Sequence, residues 1–252
     1  MGIFGFLERD KQPALQSIGN IGPVCPYCRA TLDRKPGRKK KCPACGNFIF
    51  VRTRPTDNQQ VLVTESQVDA IEEQWAIQNG DHAQYLAERR AKEEEKVRLA
   101  KQFGREPPKE DVRWALLNKE LPRHAANQDW GLYRNARLEM GDILKKRSML
   151  EPALLTYLEV CYLDLNGPNN CGGHRDNPEL LREYPPFSRS FAGLAPSVTG
   201  YLQAVIEMLG FDSKRVEGLF LAVAQQQQDN LRLPVAPRRA WAAIKRELAF
   251  DS

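Results

Sequence analysis

The sequence predicts a mainly α-helical protein with a short β-hairpin near its N-terminus. Two β-rich runs, at residues 48–53 and 61–63, are the only strand-like segments in the chain. From Thr64 onwards, apolar residues recur at helical spacing. The chain of 252 residues, 42% of them hydrophobic and 27% charged, is long enough for one or two domains with a hydrophobic core. We therefore expect a small β-containing module, then a charged helical connector, then an all-α domain.

The most specific motif is formed by two Cys-x-x-Cys pairs, which have thirteen residues between them. Two such pairs at this separation predict one tetrahedral Zn²⁺ ion bound by four thiolates, because each tight turn directs two sulfur atoms to one point. Four thiolates leave no open position for water or substrate, so the predicted role of the zinc is structural. Iron in a rubredoxin-like centre is the alternative occupant. The predicted ligands are Cys25, Cys28, Cys42 and Cys45.

Around these cysteines the chain resembles the zinc-ribbon family. The resemblance rests on Cys-Pro-Tyr-Cys at 25–28, Cys-Pro-Ala-Cys-Gly at 42–46 and the strand that follows, and it covers about residues 21–55. Zinc ribbons occur in transcription factors, RNA polymerase subunits, ribosomal proteins and protein-docking modules, so the resemblance implies a metal without naming a partner. The second cysteine pair is followed by Gly46, whereas the first pair is followed by Arg29. The first turn is therefore less ideal.

A cluster of cations surrounds the second half of this module. Lysine and arginine bind phosphates and release counterions from nucleic acid, so the cluster predicts salt-dependent contact with a nucleic acid. Tyr27, Phe48 and Phe50 could stack on exposed bases. Two alternatives remain open: an acidic protein surface as the partner, or charge balance for the −2 of a four-thiolate zinc centre. The predicted nucleic-acid-binding residues are Arg34, Lys35, Arg38, Lys39, Lys40, Lys41, Arg52 and Arg54.

The distribution of charge indicates a local contact point. The first 55 residues contain eleven lysines and arginines but three acidic residues, a formal charge of +8. The remainder of the chain has a formal charge of −3, within a total of +5. A protein that coats a polyanion would be basic throughout.

We expect an N-terminal arm over residues 1–20, the ribbon over 21–63, the helical connector over 64–104 and the all-α domain over 105–252. Thr64 and Gln67 match a capping box at the start of the connector, and Asn79-Gly80 is typical of a helix end. The mixed-charge run 88–98 predicts a solvated helix. Gly104 and Pro107-Pro108 mark the next boundary.

Within the all-α domain, the periodicity predicts a succession of helices. Residues 134–168 faintly resemble one tetratricopeptide hairpin, with Gly141, Ala153 and Tyr157 at that repeat's small, small and aromatic positions. This resemblance implies a scaffold that binds a protein partner through a peptide. The predicted helices cover 110–121, 129–147 and 150–165, a long loop covers 166–190, and further helices begin near Ser197, Asp212 and Pro237.

An enzymatic function is the least favoured hypothesis. Cys171 and His174 lie three residues apart in a Gly-rich loop and could act as nucleophile and base, or as two metal ligands together with Cys161 and Asp164. No family signature surrounds them, and the chain lacks a phosphate-binding Gly-rich loop, a serine-nucleophile elbow and a His-Glu-x-x-His motif. We expect a non-enzymatic binding protein. No apolar stretch is long enough to span a membrane, and reduced cysteine pairs favour the cytoplasm.

Overall fold

The structure, a computed structural model, describes residues 15–172, 176–231 and 233–250. The chain divides into two compact units, residues 1–94 and residues 95–252. The division falls within one long helix. The first fourteen residues of the predicted N-terminal arm lie outside the described part of the chain.

The first unit contains a three-stranded antiparallel sheet in the order β1-β2-β3. The strands are β1 (Lys40–Lys41), β2 (Phe48–Thr53) and β3 (Gln60–Val63). Lys40 pairs with Ile49, and Phe50 pairs with Val63. The two predicted strands are confirmed, whereas β1 was missed because two lysines have low strand propensity and only their pairing with β2 defines the strand.

Two small hydrophobic clusters stabilise this unit. One contains Cys25 and Cys42 with Leu32, Ile49 and Leu62. The other contains Val61 and Val63 with Val68 and Ile71 of the following helix, and Phe50 and Trp75 pack against it. Because side chains alternate along a strand, Ile49 packs in the cysteine cluster while Phe50 packs in the helical one.

Two helices follow the sheet: α1 (Glu65–Asn79) and α2 (His82–Phe103). Thr64 and Gln67 form the predicted capping box, and Gly80 ends α1 with a φ of 82°. Most of α2 is exposed and highly charged. These features confirm the local predictions for the connector.

The described part of the second unit is all-helical, which confirms the predicted fold class. The Gly- and Pro-rich segment 166–190, predicted as a loop, includes a short helix and the start of a 3₁₀ turn. The third helix runs six residues beyond its predicted end, through Pro122. The elements are α3 (Lys109–Asn127), α4 (Trp130–Lys146), α5 (Leu150–Asn166), α6 (Pro178–Glu183), a 3₁₀ turn (Arg189–Phe191), α7 (Pro196–Leu209), α8 (Ser213–Leu231) and α9 (Pro237–Glu247).

Helix α5 forms the centre of the second unit. Its side chains Leu154, Tyr157 and Tyr162 are fully buried, in one cluster with residues of α7, α8 and α9. The predicted hairpin of α4 and α5 forms, and a Cβ atom added at Gly141 would lie 2.6 Å from the Tyr157 ring. A glycine at position 141 therefore lets the two helices approach closely. Among the described residues, no helix has the length and hydrophobicity to cross a membrane.

Candidate metal centre

The four predicted ligands come together in the first unit. Their Sγ atoms all lie within 4.8 Å of one another. The Cys25–Cys45 and Cys28–Cys42 sulfur pairs are 3.8 and 3.9 Å apart, much longer than a disulfide bond. Metal–sulfur bonds of about 2.3 Å give a tetrahedron whose edges are about 3.8 Å. The sulfur positions therefore fit one tetrahedral metal ion, a donor set that both zinc and iron accept.

The two cysteine turns have the same backbone hydrogen bonds. In the first turn, the Arg29 N–H donates to the Cys25 carbonyl over 3.0 Å; in the second, the Gly46 N–H donates to the Cys42 carbonyl over 2.9 Å. Both donor residues adopt left-handed backbone, with φ of 60° at Arg29 and 73° at Gly46. Left-handed backbone disfavours a residue with a Cβ atom, which is the physical reason why the first turn is the less ideal one.

Substitutions at these two equivalent positions, Arg29 and Gly46, are expected to change metal affinity in opposite directions. Gly46→Ala should weaken metal binding about fivefold, because a left-handed alanine costs about 1 kcal/mol. Arg29→Gly should strengthen binding by about two- to fivefold for the same reason. Competition with a graded chelator measures both. Gly37→Ala is the matched control, since its φ is not positive and open space surrounds the added Cβ; equal affinities for all four proteins would contradict the prediction.

Local hydrogen bonds favour the metal-binding form of Cys42, whereas burial and the neighbouring cysteine sulfurs raise the pKa of Cys28 to about 11. The pKa of Cys42 is lowered to about 7, first because the Cys45 backbone N–H donates to its sulfur and then because that of Ala44 does. Asn47 donates its side-chain amide to the Cys45 sulfur over 3.6 Å. Thiolates rather than thiols bind metals. The sequence analysis missed Asn47, although an amide two residues after the last ligand is a recognisable signal.

The loop between the cysteine pairs forms a basic cleft of about 510 Å³. Arg34, Arg38, Lys40 and Lys41 are exposed, and within the described ranges none of them forms an ion pair with a carboxylate. The cleft is concave and cationic, which is the form expected of an anion-binding surface. Its lining residues are Arg34, Lys35, Pro36, Gly37, Arg38, Lys39 and Lys40.

Three lysines also contact the module itself, and one of them, Lys41, has its Nζ atom 5.6 Å from the centre of the Phe48 ring. The Lys35 ammonium group donates a hydrogen bond to the Gln60 carbonyl of β3. Lys39 Nζ lies over the rings of Phe48 and Phe50, 4.5 and 4.6 Å from their centroids, a distance typical of cation–π contacts. Lys35 and Lys39 therefore help to hold the loop against the sheet, in addition to lining the cleft.

The two arginines that follow the cysteines have different surroundings. Arg52 is partly exposed and lies 3.8 Å from the carboxylate of Glu72. Arg54 is only 6% exposed and donates two hydrogen bonds, of 2.8 and 2.6 Å, to Asp57. These hydrogen bonds lower the pKa of Asp57. Arg54 stabilises the turn between β2 and β3, so we leave it out of the exposed basic surface.

The three aromatic side chains near the loop already have contacts within the first unit. The Tyr27 hydroxyl accepts a hydrogen bond of 2.9 Å from the Glu65 N–H at the start of α1. Lys39 covers Phe48 and Phe50. Phe48 is nevertheless 46% exposed, so Lys39 blocks stacking of a base only on the ring face that it covers.

The Cys171 thiol is not an activated nucleophile in this structure. It is 3% exposed and donates to the Tyr184 carbonyl over 3.4 Å. Burial raises its pKa, whereas a reactive cysteine needs a lowered one. Its predicted partner His174 lies outside the described residues. Among described side chains, the four-cysteine cluster is the only group placed to hold a metal.

Comparisons with known proteins did not identify a family for this chain. Searches against protein-family models, curated proteins and solved structures found no match to the chain. The four-cysteine cluster and its neighbouring hairpin fit a zinc ribbon by geometry. The functional argument therefore depends on the chemistry of the residues.

Proposed function

We propose that this protein is a non-enzymatic, zinc-binding protein that contacts the phosphate backbone of nucleic acid through its basic loop. The observation that carries the proposal is the cationic cleft formed by residues 34–40, between the two pairs of metal ligands. The four cysteines would hold the zinc, and the exposed cations of residues 34–41 would bind phosphates. The helical domain would recruit a protein partner.

Zinc is the metal that this donor set favours. Four thiolates from two tight turns are the usual ligands of structural zinc sites in reducing compartments such as the cytoplasm. Such a site has no open position, so the bound ion would supply folding energy and no catalytic step. Its role in binding is to hold the ends of the basic loop together.

The exposed cations of the loop support a phosphate ligand. Arg34, Arg38, Lys40 and Lys41 are exposed, and Asp33 is the sole acidic residue between the cysteine pairs. A four-thiolate zinc centre carries a charge of −2. The six lysines and arginines of residues 34–41 carry more positive charge than is needed to balance it. Exposed cations that form no ion pair within the described residues are available to replace the counterions of a polyanion.

The occupied aromatic rings support contact with the backbone rather than with the bases. Sequence-tolerant stacking needs open aromatic faces, and Lys39 covers one face of Phe48 and one face of Phe50. Phosphate contacts position a protein without reading sequence. We therefore expect binding that is steeply dependent on salt and weakly dependent on base sequence.

Neutralising these four exposed cations should abolish most of this binding. In a variant with Arg34, Arg38, Lys40 and Lys41 all changed to Gln, the log–log salt slope should fall by about 3.6, since each lost phosphate contact is worth about 0.9. Affinity should fall on the order of a hundredfold or more at about 0.1 M salt. Fluorescence anisotropy of the zinc-loaded full chain, with a labelled duplex of about 30 base pairs, measures both quantities.

The matched control changes four exposed cations elsewhere, Arg90, Lys92, Lys101 and Arg105, to Gln. It lowers the net charge equally, so the proposal expects it to retain most of the salt slope. Equal losses in both variants would attribute binding to net charge alone and contradict the proposal. Absence of binding by the unmodified protein at low salt would also contradict it and would favour an adaptor whose ribbon docks on an acidic protein surface.

A further inference from the structure

The last helix of the second unit has a cationic outer face. Helix α9 buries Ala240, Trp241 and Ile244 in the core. Arg238, Arg239 and Arg246 are exposed, and Lys245 is partly exposed. The helix thus presents four cations outside the core, within eleven residues.

The cations occupy one side of α9. At 100° per residue, the four cationic positions fall within an arc of about 120°, whereas the three buried positions fall within an arc of about 100° on the opposite side. Glu247, the acidic residue of the helix, lies between the two arcs. Arg238 and Arg246 are separated by about 12 Å along the axis, because the rise is 1.5 Å per residue. The result is a continuous basic stripe two turns long.

The three arginines of this stripe have no acidic partner among the residues that the structure describes. In the described segments, no carboxylate forms an ion pair with Arg238, Arg239 or Arg246, although other arginines of the unit, such as Arg113 and Arg134, are paired. Exposed cations that form no internal ion pair remain available for an external anion. Guanidinium groups suit phosphate in particular, since they donate two parallel hydrogen bonds to it.

We propose that the outer face of α9 is a second contact surface for the nucleic-acid backbone, separate from the basic loop. The choice of nucleic acid as the ligand rests on the proposed function; the charge of the face stands independently of it. The rest of the second unit has a low net formal charge. The positive charge of the α9 face is therefore local.

The burial of α9 argues against a membrane as the partner. A helix that lies in a bilayer interface inserts its apolar face. Here Trp241 and Ile244, 5% and 0% exposed, are covered by the core. The exposed face offers arginine, lysine and alanine and no large apolar side chain. It can bind an anionic polymer without rearranging the helix.

Replacing the three free arginines tests the inference. In the full, zinc-loaded chain, Arg238→Gln, Arg239→Gln and Arg246→Gln together should lower the log–log salt slope for a duplex of about 30 base pairs by about 2.7. Affinity should fall at least tenfold. The control triple variant Arg182→Gln, Arg189→Gln and Lys214→Gln removes three other exposed cations of the same unit and should keep the original slope. Circular dichroism of each variant checks that the helices remain folded.

The same titrations distinguish this inference from the proposed function. A lower salt slope in the loop variant, together with an unchanged salt slope in the α9 variant, would overturn the inference and leave the proposed function standing. A lower salt slope in the α9 variant alone would support contact through α9 and overturn the proposed role of the loop. Equal losses in the α9 and control variants would overturn the inference, as would binding to phosphatidylserine vesicles in place of the duplex.

Discussion

Removing the metal is expected to unfold residues 21–47 while β2, β3 and α1 remain paired. The cluster around the cysteines has only Leu32, Ile49 and Leu62 as buried aliphatic side chains, which is too small a core to hold two turns and a two-residue strand. Structural zinc contributes on the order of 10–16 kcal/mol in zinc-finger peptides. The opposite face of the sheet has its own cluster with α1, which does not depend on the metal.

Hydrogen exchange with and without a chelator measures this effect by segment. The amides of Arg29 and Gly46, which donate within the cysteine turns, should lose protection, whereas those pairing β2 with β3 should keep it. Cys25→Ser should reproduce the chelated pattern with zinc present. Cys171→Ser, a cysteine outside the cluster, is the control and should retain one bound metal. Full protection of the turns without metal would contradict a structural role for the ion.

Asp164→Asn is expected to destabilise the second unit by about 3 kcal/mol. Arg134 of α4 donates two hydrogen bonds, of 2.6 and 2.7 Å, to the Asp164 carboxylate of α5. The two side chains are only 13% and 8% exposed. The neutral amide leaves the arginine charge largely buried without an anion, which costs more than the pair itself contributes.

Urea denaturation followed by helical circular dichroism measures this loss in free energy of unfolding. Changing both partners, with Arg134→Met and Asp164→Leu, should recover most of the stability, because two apolar side chains remove the buried charge together. Glu217→Gln, at a partly exposed carboxylate of α8, is the control and should change stability by less than about 0.5 kcal/mol. An unchanged midpoint in Asp164→Asn would contradict the prediction.

Predictions based on local chemistry agree with the structure. The cysteine turns, the Thr64 capping box, the left-handed Gly80 and the start of α9 at Pro237 each depend on residues within one or two turns. Their conformations follow from hydrogen bonds and steric limits that neighbouring residues impose. The all-helical body also follows from periodicity, since a sustained apolar stripe specifies a helix whichever partner covers it.

Features that depend on distant residues could not be predicted. Arg54 looked like part of the basic surface, but it is buried beside the distant Ile18 carbonyl, to which it donates a hydrogen bond of 3.5 Å, as well as paired with the nearby Asp57. Lys39 and Phe48 looked available to a ligand, yet they contact each other once β1 pairs with β2. The basic face of α9 became recognisable when Trp241 and Ile244 were seen in the core.

The sequence by itself determined the four-cysteine cluster, the fold class and the concentration of charge near the N-terminus, because spacing, periodicity and composition are properties of the chain. The tertiary structure decided which of those charges face solvent. A cation binds an external phosphate most readily if no carboxylate or carbonyl of the protein satisfies it first. That competition depends on strands and helices brought together by folding, and it leaves Arg34, Arg38, Lys40 and Lys41 exposed while it buries Arg54.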